Sequence, residues 1–277
     1  MSAAGYAKRH GSLVVGLTLV GVIVVLAVVS FVWTPGDAYR VEPSARLLAP
    51  DASHWLGTDK FGRDVASRIM IGARTTLFVG IVAVGVAAVI GTPLGILAGM
   101  RRGAVDAALM RSTDLVLAFP ALLLAIMFGA VFGASTLTAM IAIGIATIPA
   151  FARIVRAGTL QVMSSEYVLA ARSAGRRRLG IAVRHVLPNV LGLVIVQASV
   201  SFAIAVLAEA GLSFLGFGTP PPTPSWGRML AESQDVLFDH PLLAMVPGAA
   251  IALAVLGFNL AGDGLRDTYD PRLAVPR

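Results

Sequence analysis

Between Ser12 and Trp33 the chain runs 22 residues without a charge. At 1.5 Å per residue, a helix of that length crosses about 30 Å of hydrocarbon. Apolar runs recur at Leu77–Ala98, Leu115–Phe132, Leu137–Ala152, Val190–Phe214 and Leu242–Leu260, giving six expected spans. Only 13% of the residues are charged, where a soluble domain carries roughly 25%. The expected class is therefore an all-α polytopic membrane protein. Lys8, Arg9 and His10 precede the first run. A cleaved signal peptide would have an apolar region of about 7–15 residues and a small-residue cleavage site. Val32-Trp33-Thr34 is not such a site, so the first run is read as an uncleaved span.

With six spans and a cytoplasmic N-terminus, 15 of the 22 arginines and lysines fall on cytoplasmic segments. That asymmetry agrees with the positive-inside rule and places both termini in the cytoplasm. The net charge of +7 reflects this orientation rather than nucleic-acid binding. There is no cysteine, which excludes disulfides, thiolate metal sites and cysteine nucleophiles.

The segments between spans carry the local signals. The polar segment 34–76 contains an amphipathic stretch expected to be helical from about Gly62 to Ala73 and to enter the next span. Trp55 and Phe61 there suit the headgroup interface. Pro120 is a candidate kink in the third span and Pro149 lies near the end of a short fourth. TPPPTPSWG, residues 219–227, reads as a stiff extended segment. Gly91, Gly95 and Gly99 form overlapping GxxxG patterns for close helix packing, within the chain or against a sister subunit. Gly129 and Gly133 allow the same reading. Asn259 reads as structural.

The most informative polar stretch is Ser165–Asn189, SEYVLAARSAGRRRLGIAVRHVLPN, which the charge count puts on the cytoplasmic side. Ser165 is placed to cap a helix and Glu166 to complement its dipole. Gly175 suits the left-handed residue that ends it. Tyr167, Ala170, Ala171 and Ala174 share one face, small enough to enter a groove on another protein. Arg176-Arg177-Arg178 reads first as retention of the loop on the cytoplasmic side, near anionic headgroups.

Leu169-Ala170-Ala171, then Gly175, then Leu187-Pro188, resembles the EAA loop of bacterial ABC importer permeases. The longer run EYVLAARSAG…RHVLPN is similar to the dipeptide/oligopeptide/nickel branch of that family. Residues 54–77 (HWLGTDKFGRDVASRIMIGARTTL), the run from Asp106 through Arg111 and Asp114 to Pro120, and residues 209–230 (EAGLSFLGFGTPPPTPSWGRML) resemble its C-type subunits. The resemblance implies a type I importer permease fold with a coupling helix between spans 4 and 5. Its parts would be an N-terminal span and extracytoplasmic segment (1–76), a five-span core (77–265) with the coupling loop at 158–189, and a cytoplasmic tail (266–277). ATPase-coupling residues would be Glu166, Tyr167, Leu169, Ala170, Ala171, Arg172, Ala174, Gly175, Leu187 and Pro188. Leu169 departs from the family, which usually has an acid there.

The same resemblance implies the partners: a homologous B-type permease, two cytoplasmic ATPase domains carrying ATP and Mg, and an extracytoplasmic solute-binding protein. The cargo would be di- or oligopeptides, with nickel chelates or haem as alternatives. No G-x-x-x-x-G-K-[ST] loop occurs, so no cofactor is expected on this chain and no catalysis within it. His10, His54, His185 and His240 are scattered and suggest no metal site. Glu209, a carboxylate inside the fifth apolar run, is a candidate for the pathway or a gate, or for a structural hydrogen bond near Ser213. A stand-alone secondary transporter would call for paired repeats and several intramembrane ionisable groups, and a scaffold would not require the EAA-type spacing.

Overall fold

The computed structural model describes residues 3–133 and 135–269, with side chains from residue 11 to 268. The tail beyond 269 and the side chains of Lys8, Arg9 and His10 lie outside the described residues. Among the described residues ten α-helices follow in order: α1 (Ala3–Val29), α2 (Val65–Met100), α3 (Ala104–Leu117), α4 (Ala121–Phe132), α5 (Thr136–Met163), α6 (Glu166–Ser173), α7 (Arg178–Ile181), α8 (Leu187–Phe214), α9 (Trp226–Ser233) and α10 (Leu242–Tyr269). Among the described residues, five helical segments are long and apolar enough to span a membrane, or six where the bent pair α3–α4 counts as one span.

The long helices alternate in direction, so short connections collect at two ends. One end carries α6 and α7; the other carries the 30–64 segment and α9. Helices α2, α5 and α8 form the centre, where Ala83, Ala139, Ala142, Ile143, Ala205 and Leu212 are buried together with Ala125 of α4. Helices α1 and α10 pack outside this centre. Ile23, Ala27, Val206, Ile251 and Ala254 bury a second cluster that also holds Trp226 of α9.

The three glycines of α2 close the centre. A Cβ at Gly95 would lie 2.5 Å from the carbonyl oxygen of Ala152, and one at Gly91 2.6 Å from Cβ of Phe151. Gly99 stands equally close to Thr159. Of the two expected uses of the GxxxG stripe, the one made here is packing of α2 on α5 within the chain. Gly129 is half-buried in α4, and Gly133 caps that helix at φ +88°.

Several boundaries differ from the sequence expectation. The amphipathic stretch is helical and enters the next span as expected, but it starts at Val65 rather than Gly62. Asp64 accepts from Ser67 N at 2.7 Å and starts α2 at Val65. From there α2 runs 36 residues to Met100 through the expected boundary at 76–77. The third span is not one kinked helix: α3 and α4 meet at 81° across Ala118–Pro120. Proline cannot continue the hydrogen-bond ladder, and it restrains the residue before it. The fourth span is not short. Helix α5 passes through Pro149 to Met163, and its continuation carries Arg153 and Arg156 to the carboxylates of α3. Arg153 pairs with Asp114 at 2.5 Å, and Arg156 takes both oxygens of Asp106 at 2.5 and 2.6 Å. Residues 219–227 are not an extended rod, since they turn back and Trp226 already belongs to α9.

Candidate functional site

Helix α6 lies between α5 and the basic segment that leads into α8. Ser165 holds the N-cap position with extended backbone, but its hydroxyl donates to Val162 O at 2.6 Å and caps nothing in α6. The hydroxyl expected to cap α6 thus ties it to the last turn of α5. At the other end, Gly175 takes φ +75°. Its N–H donates to Arg172 O at 2.9 Å, and Arg176 N–H donates to Ala171 O at 3.1 Å. This pair of bonds is a Schellman cap, so the glycine ends the helix as its residue type requires.

One side chain anchors α6. Val168 is fully buried among Val155, Met163, Ile181, Val186 and Val190. Glu166, Tyr167, Leu169, Ala170, Arg172, Ala174 and Gly175 are exposed, while Ala171 is half-buried. The expected small-residue face is therefore only partly free: Ala170 and Ala174 face outward and Ala171 turns towards the chain. Tyr167 rests against the His185 ring, centroids 6.0 Å apart. His185 belongs to a turn of π-helix, Ala182–Val186, a form common at functional sites. Asn189 donates to His185 O at 2.7 Å and closes that turn. Leu187 is half-buried and Pro188 exposed at the start of α8. Among the implied coupling residues, the structure thus gathers those of α6 at one end of the bundle, with Leu187 and Pro188 beyond the π-turn.

At the opposite end, residues 34–64 and α9 form a polar cap. Arg68, 2% exposed, bonds Asp59 and reaches Glu232 at 2.9 Å. Arg63 bridges the same two carboxylates at 2.7 and 2.6 Å, and Arg228 approaches Glu232 at 3.0 Å. Lys60 pairs with Asp235 at 2.6 Å. His54 contacts Asp64 at 3.0 Å. The Trp226 indole donates to Ile69 O at 3.0 Å, and its ring lies where a Cβ at Gly72 would stand. The segments 54–77 and 209–230 are therefore two halves of one assembly.

Glu209 lies beside this cap. It is 3% exposed and accepts from Ser213 Oγ at 2.5 Å and from Thr219 Oγ1 at 3.2 Å. Thr219 N–H donates in turn to Ser213 Oγ at 2.9 Å. The carboxylate thereby holds the turn that leads from α8 to α9.

Residues 91–275 match the family of binding-protein-dependent transport system inner membrane components. The chain belongs to that family. It is 41% identical over 96% of its length, and 88% of the relative's, to the dipeptide transport system permease protein DppC of Alkalihalophilus pseudofirmus. It is 45% identical to a putative peptide transport system permease protein of Brucella abortus, covering 96% of this chain and 90% of that one. Identity to the glutathione transport system permease protein GsiD of Pectobacterium atrosepticum is 40%, over 97% and 89%. An inward-facing MetNI methionine ABC transporter shares the fold, with TM-score 0.60 at 18% identity, covering 73% of this chain and 96% of that one. This family member is thus a multi-pass membrane component of a binding-protein-dependent transport system.

Sequence reasoning marked Ser165–Asn189 but gave no role to Arg68, Asp59 or Glu232 of this inner membrane component. Arg68 carried a signal, a cation on an otherwise apolar helix start. Its partner Glu232 lies far along the chain, in a helix that the proline-rich reading concealed. The ion network also makes the cap sensitive to acid. Burial raises the Glu232 carboxyl, but the Arg68 and Arg63 charges outweigh it and hold it below its ordinary value of 4.5. A lowered carboxyl contributes its stabilisation above the ordinary value and loses it as pH falls through the lowered one. We expect Trp226 fluorescence, read with Trp33 and Trp55 changed to Phe, to stay constant down to about pH 4.5 and to shift below it. A transition centred well above that pH would contradict the assignment to Glu232.

Proposed function

We propose that this chain is the permease subunit of an ATP-driven, binding-protein-dependent importer of di- and oligopeptides. It would build the pathway with a homologous permease and take substrate from an extracytoplasmic binding protein. Two cytoplasmic ATPase domains, holding ATP and Mg, would supply the work. The observation that carries this reading is the exposure of Tyr167, Leu169 and Ala170 on a helix anchored through Val168. A short rigid helix with one buried anchor leaves its outer face for a partner and passes a push to the ends of α5 and α8. Both termini and α6 would lie in the cytoplasm, as the arginine asymmetry favours. The proposed coupling residues are Glu166, Tyr167, Leu169, Ala170, Ala171, Arg172, Ala174, Gly175, Leu187 and Pro188.

The peptide cargo rests on the relatives named for dipeptide, peptide and glutathione transport. The chain itself would perform no chemistry. Glu209 would support the loop between α8 and α9, since its carboxylate is engaged by Ser213 and Thr219. The test is reconstitution with the sister permease, the ATPases and the binding protein in proteoliposomes. Uptake of labelled dipeptide that requires ATP and the binding protein is the expected result. Dipeptide uptake by this chain alone, or none by the full complex with ATP turnover intact, would overturn it.

A further inference from the structure

Against the C-terminal turn of α6 lies a cleft of about 420 Å³, lined by Met100, Arg172, Gly175, Arg176, Arg178 and Ile181. Three guanidinium groups line it and no carboxylate does. Among the described residues, none of the three arginines makes an ion pair; the pairs at this end of the bundle use Arg153 and Arg156. Gly175 leaves open space beside them.

The cleft also has a height in the membrane. Met100 is the last residue of the apolar helix α2, and the exposed Arg101 and Arg102 follow it directly. The other apolar lining residue, Ile181, belongs to the buried cluster under α6. The arginines therefore lie just past the end of the apolar run of α2. A guanidinium presents a planar fork that matches two phosphate oxygens. Basic pockets beside membrane helices on the cytoplasmic side suit anionic headgroups.

We infer that this cleft binds the phosphate ester of an anionic phospholipid, with Arg172, Arg176 and Arg178 around the headgroup and Met100 against the start of the acyl chains. A free phosphate shares the charge chemistry but gains nothing from the apolar contact or from the position at the bilayer edge. Arg172 lies on α6 and Gly175 in its cap, so a bound headgroup would bridge α6 to the end of α2. That last consequence rests on α6 being the docking helix; lipid binding itself does not.

The experiment measures retention of phosphatidylglycerol and phosphatidylcholine by the purified, fully assembled transporter, using native mass spectrometry. The wild-type complex should keep phosphatidylglycerol selectively. A variant carrying Arg176→Gln and Arg178→Gln should hold it about 25-fold more weakly, from roughly fivefold per basic group at a membrane surface. Equal retention of the two lipids, or undiminished retention by the variant, overturns the site. Displacement by inorganic phosphate would assign the cleft to soluble phosphate and overturn the lipid. Retention only after the ATPases are stripped away would assign the arginines to an acidic protein partner and overturn it too. Where the lipid is retained, phosphatidylglycerol should raise ATP turnover in the wild type and not in the variant. Retention with no such difference removes the bridge to α6 and leaves the lipid site standing.

Discussion

Arg68→Ala is expected to release the polar cap from the helix bundle. The guanidinium is 2% exposed and shared between Asp59 and Glu232. Removing one partner from a buried ion network costs about 3–5 kcal/mol, because the remaining charges stay desolvated. Arg63 still bridges both carboxylates, which places the expected cost at the lower end, about 3 kcal/mol. That corresponds to roughly a hundredfold larger open population. The segment freed by opening is the turn at 215–225, which α9 and the Glu209 hydrogen bonds otherwise hold. Limited proteolysis of purified protein reads this population when reclosing is fast. Cleavage there should accelerate by about two orders of magnitude in the variant. Arg68 meets both acids through the single nitrogen Nη1; Arg68→Lys keeps a charge there but sets it on a shorter, more strongly hydrated group, so it should fall between. A cutting rate within about twofold of wild type for Arg68→Ala would show that Arg63 alone secures the cap.

This network also shows where sequence reading stops. Apolar runs have one physical solution in a bilayer, a helix that satisfies its own backbone, so the all-helical class and the long apolar helices could be read from composition and length. The left-handed residue ending α6 could be read from Gly175 for a similar reason, since few other residues tolerate that backbone. The partners of Arg68 could not. Asp59 is nearby in sequence, but Glu232 is brought to it only by the turn at 219–225 and by Trp226 seating on Gly72. The break at Pro120 and the passage of α5 through Pro149 make the same point. Two prolines in apolar runs met different fates: one starts a new helix at 81°, and the other sits buried inside a continuous one. At Pro149 the tertiary packing of α5 on the glycine face of α2 outweighs the local cost, which no local rule reports. The hydroxyl of Ser165 went to the preceding helix for a related reason, because Val162 O lay within reach.

Ala170→Arg is expected to separate ATP hydrolysis from uptake in the assembled transporter. Ala170 is exposed on α6, whereas Ala171 is half-buried and its carbonyl accepts the cap bond from Arg176. A large residue at Ala171 would disturb the chain itself; one at Ala170 meets only a partner. Forcing extra bulk into a packed contact costs about 1–3 kcal/mol, and a buried cation without a partner adds to that. Seating of the ATPase should weaken about 5–150-fold from the added bulk alone. In membranes, where the subunits stay concentrated together, the complex should still assemble in part. Dipeptide uptake per ATP hydrolysed should then fall more steeply than ATP turnover, because a poorly seated helix receives little of the ATPase movement. Ala170→Ser, similar in volume, should retain uptake. Val168→Ala probes the other side of the same lever: it empties part of the cluster of Val155, Met163, Ile181, Val186 and Val190 without touching the exposed face. If α6 transmits force through Val168, that variant should bind ATPase normally and still lose uptake per ATP. Normal uptake by Ala170→Arg with normal assembly would remove α6 from the coupling path, and normal uptake by Val168→Ala would remove its buried anchor from it.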